Sequence, residues 1–142
     1  MKRYIALDIG DVRIGVAKSD IMGIIAMPLE TINRKKIKSV KRIAQICREN
    51  DTTSIVVGIP KSLDGTEKRQ AEKVRIYVEK LKKEIENLQV IEVDERYSTV
   101  SADSILNDLN KKGAIKKRKL VDKVAASIIL QTFLDMNSKR SI

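Results

Sequence analysis

The sequence contains no histidine among its 142 residues, and only one cysteine. The first absence removes every Ser-His-Asp and Cys-His hydrolytic scheme and every histidine-ligated zinc site. Catalysis, if there is any, has to use carboxylates, lysines, hydroxyls or a hard metal held through oxygen. The lone Cys47 excludes an internal disulfide and points to a reducing compartment. Aromatic residues make up 3% of the chain, too few for a platform that stacks single-stranded bases. No apolar run approaches the ~18 residues that a membrane span requires. The basic opening Met1-Lys2-Arg3 is followed by an apolar stretch that stops at Asp8, too short for a signal peptide, so a cytoplasmic protein with no membrane partner is expected.

Positive charge is abundant. Twenty-nine basic residues against 19 acidic ones leave a net charge of +10, which favours a polyanionic partner. With so few aromatics, contact with a phosphate backbone fits better than base reading. The length suits a single domain over 1–142, able to bury roughly 68–70% of its unfolded surface without staples.

Apolar runs at 4–9, 13–18 and 24–32, joined by tight connections, predict an antiparallel meander of three strands. Pro28 places the third at a sheet edge or on a bulge. From Lys35 the period lengthens: Ile37, Val40, Ala44 and Cys47 mark a helix to about Asn50, with Cys47 on its apolar stripe as a packing residue. The continuous apolar run 54–59 reads as a buried parallel strand ended by Pro60. Thr66 is a natural N-cap for a helix carrying Ala71, Val74, Val78, Leu81 and Ile85. A last strand is expected at 89–94, a helix from about Thr99, and a final helix at about 119–136. Between those helices, six of the nine residues Lys111–Lys119 are cationic around Gly113, which predicts a mobile basic loop. The order βββαβαβαα implies an α/β fold with a mixed five-stranded sheet, three strands antiparallel and then two parallel, flanked by helices.

In such sheets, sites form at the carboxyl ends of parallel strands. That rule selects Asp8, the turn after Gly58, and Asp94 and Glu95 at the end of the last strand. Asp122, in the last helix, is the third candidate acid, on one inward face with Ala125, Ala126, Ile129 and Phe133. Three acids on three elements suit Mg²⁺ or Mn²⁺. Two carboxylates ~4 Å apart repel by about 4 kcal/mol at an effective dielectric of ~20, so without a cation the cluster should raise its own pKa values. Each acid also has an ordinary reading: Asp8 as a turn former beside Gly10, Glu95 as a partner of Arg96 or a helix cap, Asp122 as a first-turn acid.

At these residues the chain resembles the YqgF family (also called RuvX) of Holliday-junction resolvase-like or pre-16S rRNA nucleases. The resemblance is carried by Leu7-Asp8-Ile9-Gly10 with Arg13–Asp20, by Val57-Gly58-Ile59-Pro60 with Asp64–Glu67 and Ala71–Val74, by Asp94–Thr99, and by Asp122–Gln131. It implies a ribonuclease H-like fold and a Mg²⁺-dependent endonuclease, with Asp8, Glu95 and Asp122 as the acidic, metal-binding triad. Such an enzyme acts on structured RNA, as in 5′-end processing of pre-16S rRNA, or alternatively on branched DNA. Val12 stands where the family often carries a lysine. Arg13, Lys61, Arg96, Lys116, Lys117 and Arg118 are candidates, on charge and position, to hold phosphates. Cutting a junction symmetrically would need a homodimer, trimming a precursor end only a monomer. A nucleic-acid-binding module without catalysis is the rival of another class. An actin-like phosphotransferase, which shares an Asp-x-Gly hairpin, would need a second lobe that 142 residues do not hold.

Overall fold

The computed structural model describes residues 2–60, 68–95 and 114–140. Their strands form one five-stranded sheet, in the order β3-β2-β1-β4-β5. Strands β1 (Ile5–Ile9), β2 (Arg13–Ser19) and β3 (Ala26–Asn33) make the expected antiparallel meander. Strands β4 (Ser54–Ile59) and β5 (Gln89–Asp94) add in parallel on the other side of β1. Pro28 meets both expectations, since β3 is an edge strand and its pairing slips there. Val16 opposes Glu30 and Ala17 opposes Pro28, leaving Leu29 as the extra residue of a bulge.

Two-residue alternation sends the side chains to two cores. Ile5, Leu7 and Ile9 of β1, with Ile55, Val57 and Ile59 of β4, pack against helices α1 (Ser39–Glu49) and α2 (Lys68–Glu84). Tyr4, Ala6, Ala17, Val56 and Val93 face the opposite way, onto Ala126, Ile129, Leu130 and Leu134 of the long helix α3 (Ala114–Arg140). Asp8 follows Tyr4 and Ala6 in the alternation, so it belongs to the α3 side. Cys47 is buried in the α1 core, in keeping with a packing role.

Two expectations are corrected. Helix α1 begins at Ser39, not Lys35, and Ile37 is exposed. The cause lies at Asn33: its carbonyl accepts the backbone N–H groups of Lys36 and Ile37, and its side-chain oxygen accepts that of Lys35. A local turn of this kind competes with helix and delays it. The last helix, in turn, begins at Ala114, five residues before the expected start, so 114–119 are helical where a mobile loop was expected. Neither glycine nor proline interrupts 114–140, and Ala, Leu, Lys and Arg are strong helix formers. Like-charge spacing on a helix costs only a few tenths of a kcal/mol per pair, too little to melt it. The Thr66 cap, the helix expected from Thr99 and residues 111–113 lie outside the described residues.

Candidate active site

The three acids come from β1, the segment just after β5, and α3. Asp8 sits near the end of β1, opposite Gly15 of β2. On its other side, the parallel register Leu7–Val57 brings Gly58 of β4 alongside. Gly58 pairs in turn with Val93, two residues before Glu95. Glu95 therefore has to cross β4 to reach Asp8, and it crosses at the one residue there without a side chain. A Cβ on Gly58 would stand 2.7 Å from Glu95 Oε1 and 2.5 Å from Ile129 Cδ1. Such contacts are closer than real Cβ atoms make. The Glu95 carboxyl hydrogen-bonds that of Asp8.

Gly15 performs the matching task for the helix. A Cβ there would lie 1.7 Å from the backbone oxygen of Asp122 and 2.9 Å from the nitrogen of Lys123. Thus α3 rests directly on the β2 backbone, and it does so at the strand partner of Asp8. Ala126, Ile129 and Leu130, fully or almost fully buried, hold the following turns down.

Asp8 titrates above its ordinary range. Burial is the largest cause and raises its pKa; the Glu95 hydrogen bond opposes it, and the nearby Asp122 charge raises it again. Asp122 is engaged differently. Its Oδ2 accepts a hydrogen bond from Arg13 Nε at 2.6 Å, in an ion pair 36% exposed on the arginine side and 20% on the aspartate side.

The geometry brings Asp8 and Glu95 into contact and places Asp122 close enough for its charge to be felt. Among the described residues, however, no three acidic or cysteine side chains converge into a ready metal cage. The donor set nevertheless suits Mg²⁺, which keeps several waters and is commonly held by one or two carboxylates. Arg13, expected to contact phosphate, is paired with Asp122 across the strand–helix junction. Val12 lies partly exposed in the hairpin turn, where its carbonyl accepts the Arg34 backbone N–H. Lys116, Lys117 and Arg118 fall in the first turns of α3, while Lys61 and Arg96 lie outside the described residues. The roles of Gly15 and Gly58 escaped sequence reasoning, although Gly58 stands within the Val57–Pro60 motif.

The profile of a protein family described as RuvX, Holliday junction resolvase, matches residues 2–136. The chain belongs to the RuvX family. Among its relatives, a protein of Fusobacterium nucleatum subsp. nucleatum, provisionally named a pre-16S rRNA nuclease, is 84% identical over 96% of this chain and 99% of its own length. Proteins with the same provisional name from Desulforamulus reducens and Clostridium tetani are 44% and 43% identical, over 96% and 94% of this chain and 99% and 96% of their own lengths. Among solved structures, RuvC of T. thermophilus in complex with a Holliday junction substrate superposes with a TM-score of 0.62. It covers 96% of this RuvX chain and 97% of its own, at 12% identity. At that identity the likeness shows the fold: an α/β, ribonuclease H-like architecture, as expected from the motifs.

Proposed function

We propose that this chain is a Mg²⁺-dependent endonuclease that hydrolyses phosphodiester bonds in structured RNA, acting in 5′-end processing of pre-16S rRNA. The observation that carries the proposal is the passage of Glu95 over Gly58 onto Asp8, beneath the helix that supplies Asp122. The provisional names of relatives up to 84% identical support the choice of substrate. Asp8 and Glu95 would hold the ion, for which Mn²⁺ can substitute, and Asp122 would join them on leaving Arg13. Bound there, Mg²⁺ supplies Lewis acidity and lowers the pKa of water at the phosphate. The protein's part is to bring three carboxylates to one end of the sheet. Arg13, once released, stands at the same junction as a phosphate contact, and the positive field of the chain draws the polyanion in.

A second reading, cleavage of branched DNA, is favoured by the family description and by the RuvC-like fold. The test is cleavage of a pre-16S rRNA fragment and of a four-way DNA junction in Mg²⁺, with wild type, Asp8→Asn and Asp122→Asn. The proposal expects RNA cleavage by wild type, reduced at least a hundredfold in both variants. Preferential cutting of the junction would transfer the assignment to DNA. Equal activity in all three proteins would reject the triad. Binding without cleavage of either substrate would leave a nucleic-acid-binding module.

A further inference from the structure

A second concentration of positive charge lies away from the three acids, near the start of α1. The segment from Arg34 to Lys41, with α2 beside it, lines an open groove of about 570 Å³. Six lining residues are cationic (Arg34, Lys35, Lys36, Lys38, Lys41 and Lys80), and one, Glu84, is acidic. Glu84 is already paired with Lys41 at 3.1 Å. The next cation along the chain, Arg42, is committed to Glu30 and Glu49. Among the described residues, no carboxylate forms an ion pair with Lys35, Lys36, Lys38 or Lys80, and all four are exposed.

A run of lysines is often no more than a solvated surface. Here the frame beneath it is built. Arg34 donates to the Gly10 carbonyl at 2.7 Å, and its guanidinium lies 4.6 Å over the Tyr77 ring. The Tyr77 hydroxyl lies 2.6 Å from Ser39 Oγ, tying α2 to the start of α1. Gly10 is two residues from Asp8, so Arg34 joins the groove to the same end of the sheet as the acids. The tyrosine at its base is buried and covered by Arg34, which leaves charge and no stacking surface.

We propose that this groove is a second seat for a nucleic-acid phosphate backbone. It holds the flank of a duplex RNA through Lys35, Lys36, Lys38 and Lys80 while the strand to be cut lies over Asp8. The proposal takes its substrate from the nuclease reading, but the binding it predicts does not require cleavage. Removing one lysine–phosphate interaction lowers the slope of log affinity against log salt by about one.

The test compares wild type with the quadruple variant Lys35→Gln, Lys36→Gln, Lys38→Gln and Lys80→Gln. A control removes four charges elsewhere: Lys2→Gln, Arg48→Gln, Lys82→Gln and Lys83→Gln. Binding of a 30-base-pair RNA with a single-stranded extension is measured between 50 and 200 mM KCl without Mg²⁺. Thermal unfolding checks that both variants fold. The groove variant should lose two to four units of slope and roughly tenfold or more in affinity at 100 mM, while the control loses markedly less. With Mg²⁺, its KM should rise for this RNA and not for a hexanucleotide, with kcat unchanged. Equal losses in groove variant and control would overturn the proposal, because the effect would then be net charge alone. Displacement of a poly-glutamate peptide from the groove, with RNA binding unaffected, would also overturn it and assign the surface to an acidic protein. Should wild type cleave nothing, the binding comparison still decides the groove, while the nuclease reading fails separately.

Discussion

Replacing Gly15 by alanine tests the construction of the site most severely. The added Cβ would begin 1.7 Å from the Asp122 carbonyl oxygen and 2.3 Å from its carbon. Ordinary contact starts at 3.4 Å, so helix and strand must separate by about 1.7 Å at that point. Both opposing groups are backbone, and no rotamer change can relieve the overlap. Nor can α3 tilt freely, since Ala126, Ile129, Leu130 and Leu134 anchor it in the second core. Overpacking typically costs 1–3 kcal/mol, and a backbone obstacle belongs at the upper end, about 3 kcal/mol. For a protein of this size that corresponds to a Tm lower by about 10 °C. Displacing Asp122 by more than 1 Å from Asp8 should also cost on the order of 10²-fold in kcat. Thermal unfolding and RNA cleavage measured on the same preparation check both effects. A variant with a Tm within 2 °C of wild type and unaltered cleavage would refute the close approach of α3 to β2.

At Gly58 the obstacles are side chains, so a companion change can separate two effects. Gly58→Ala should lose stability and Mg²⁺ affinity, and adding Ile129→Val, which removes the Cδ1 atom in the way, should restore the Tm but not the affinity, as read by Mn²⁺ titration. In metal-free protein, the raised Asp8 pKa gives stability that is fully present below the unfolded value of 3.8 and lost as pH rises through the folded value. Urea unfolding should show that decline in wild type and not in Asp8→Asn; Mg²⁺ should offset it, by about 2.7 kcal/mol at a hundredfold excess over Kd. Cys47, whose thiol is pushed up to about 11 chiefly by burial, should resist alkylation at pH 8 until the chain is unfolded. Labelling at the rate of a free thiol would contradict its place in the α1 core.

Much of this structure is written in local pattern. Apolar runs mark the described strands, that of β4 continuous, helical spacing marks the bodies of the described helices, and the one-residue slip at Pro28 follows from a missing N–H. The ends of helices were less legible: the competing turn at Asn33 depends on a side chain turning back on its own backbone. Position at the strand ends singled out Asp8 and Glu95, and helical spacing Asp122, but their relations are not local. Arg13 and Asp122 are 109 residues apart, and nothing in either segment announces the bond between them. Gly15 and Gly58 matter for what an absent Cβ allows, which becomes visible only when the elements passing over them are in place. The lysines at 35, 36 and 38 were read only as part of a helix, and their groove, with its join to the site through Arg34 and Gly10, required the fold.

Diffraction from a crystal soaked in Mn²⁺, recorded at a wavelength where the metal scatters anomalously, decides whether the three acids form a metal site. A peak is predicted within coordinating distance of Asp8 and Glu95, about 2.0–2.3 Å from their oxygens, with Asp122 drawn away from Arg13 toward it. An empty site, with Asp8 still bonded to Glu95 and Asp122 still bonded to Arg13 at saturating Mn²⁺, would contradict that assignment.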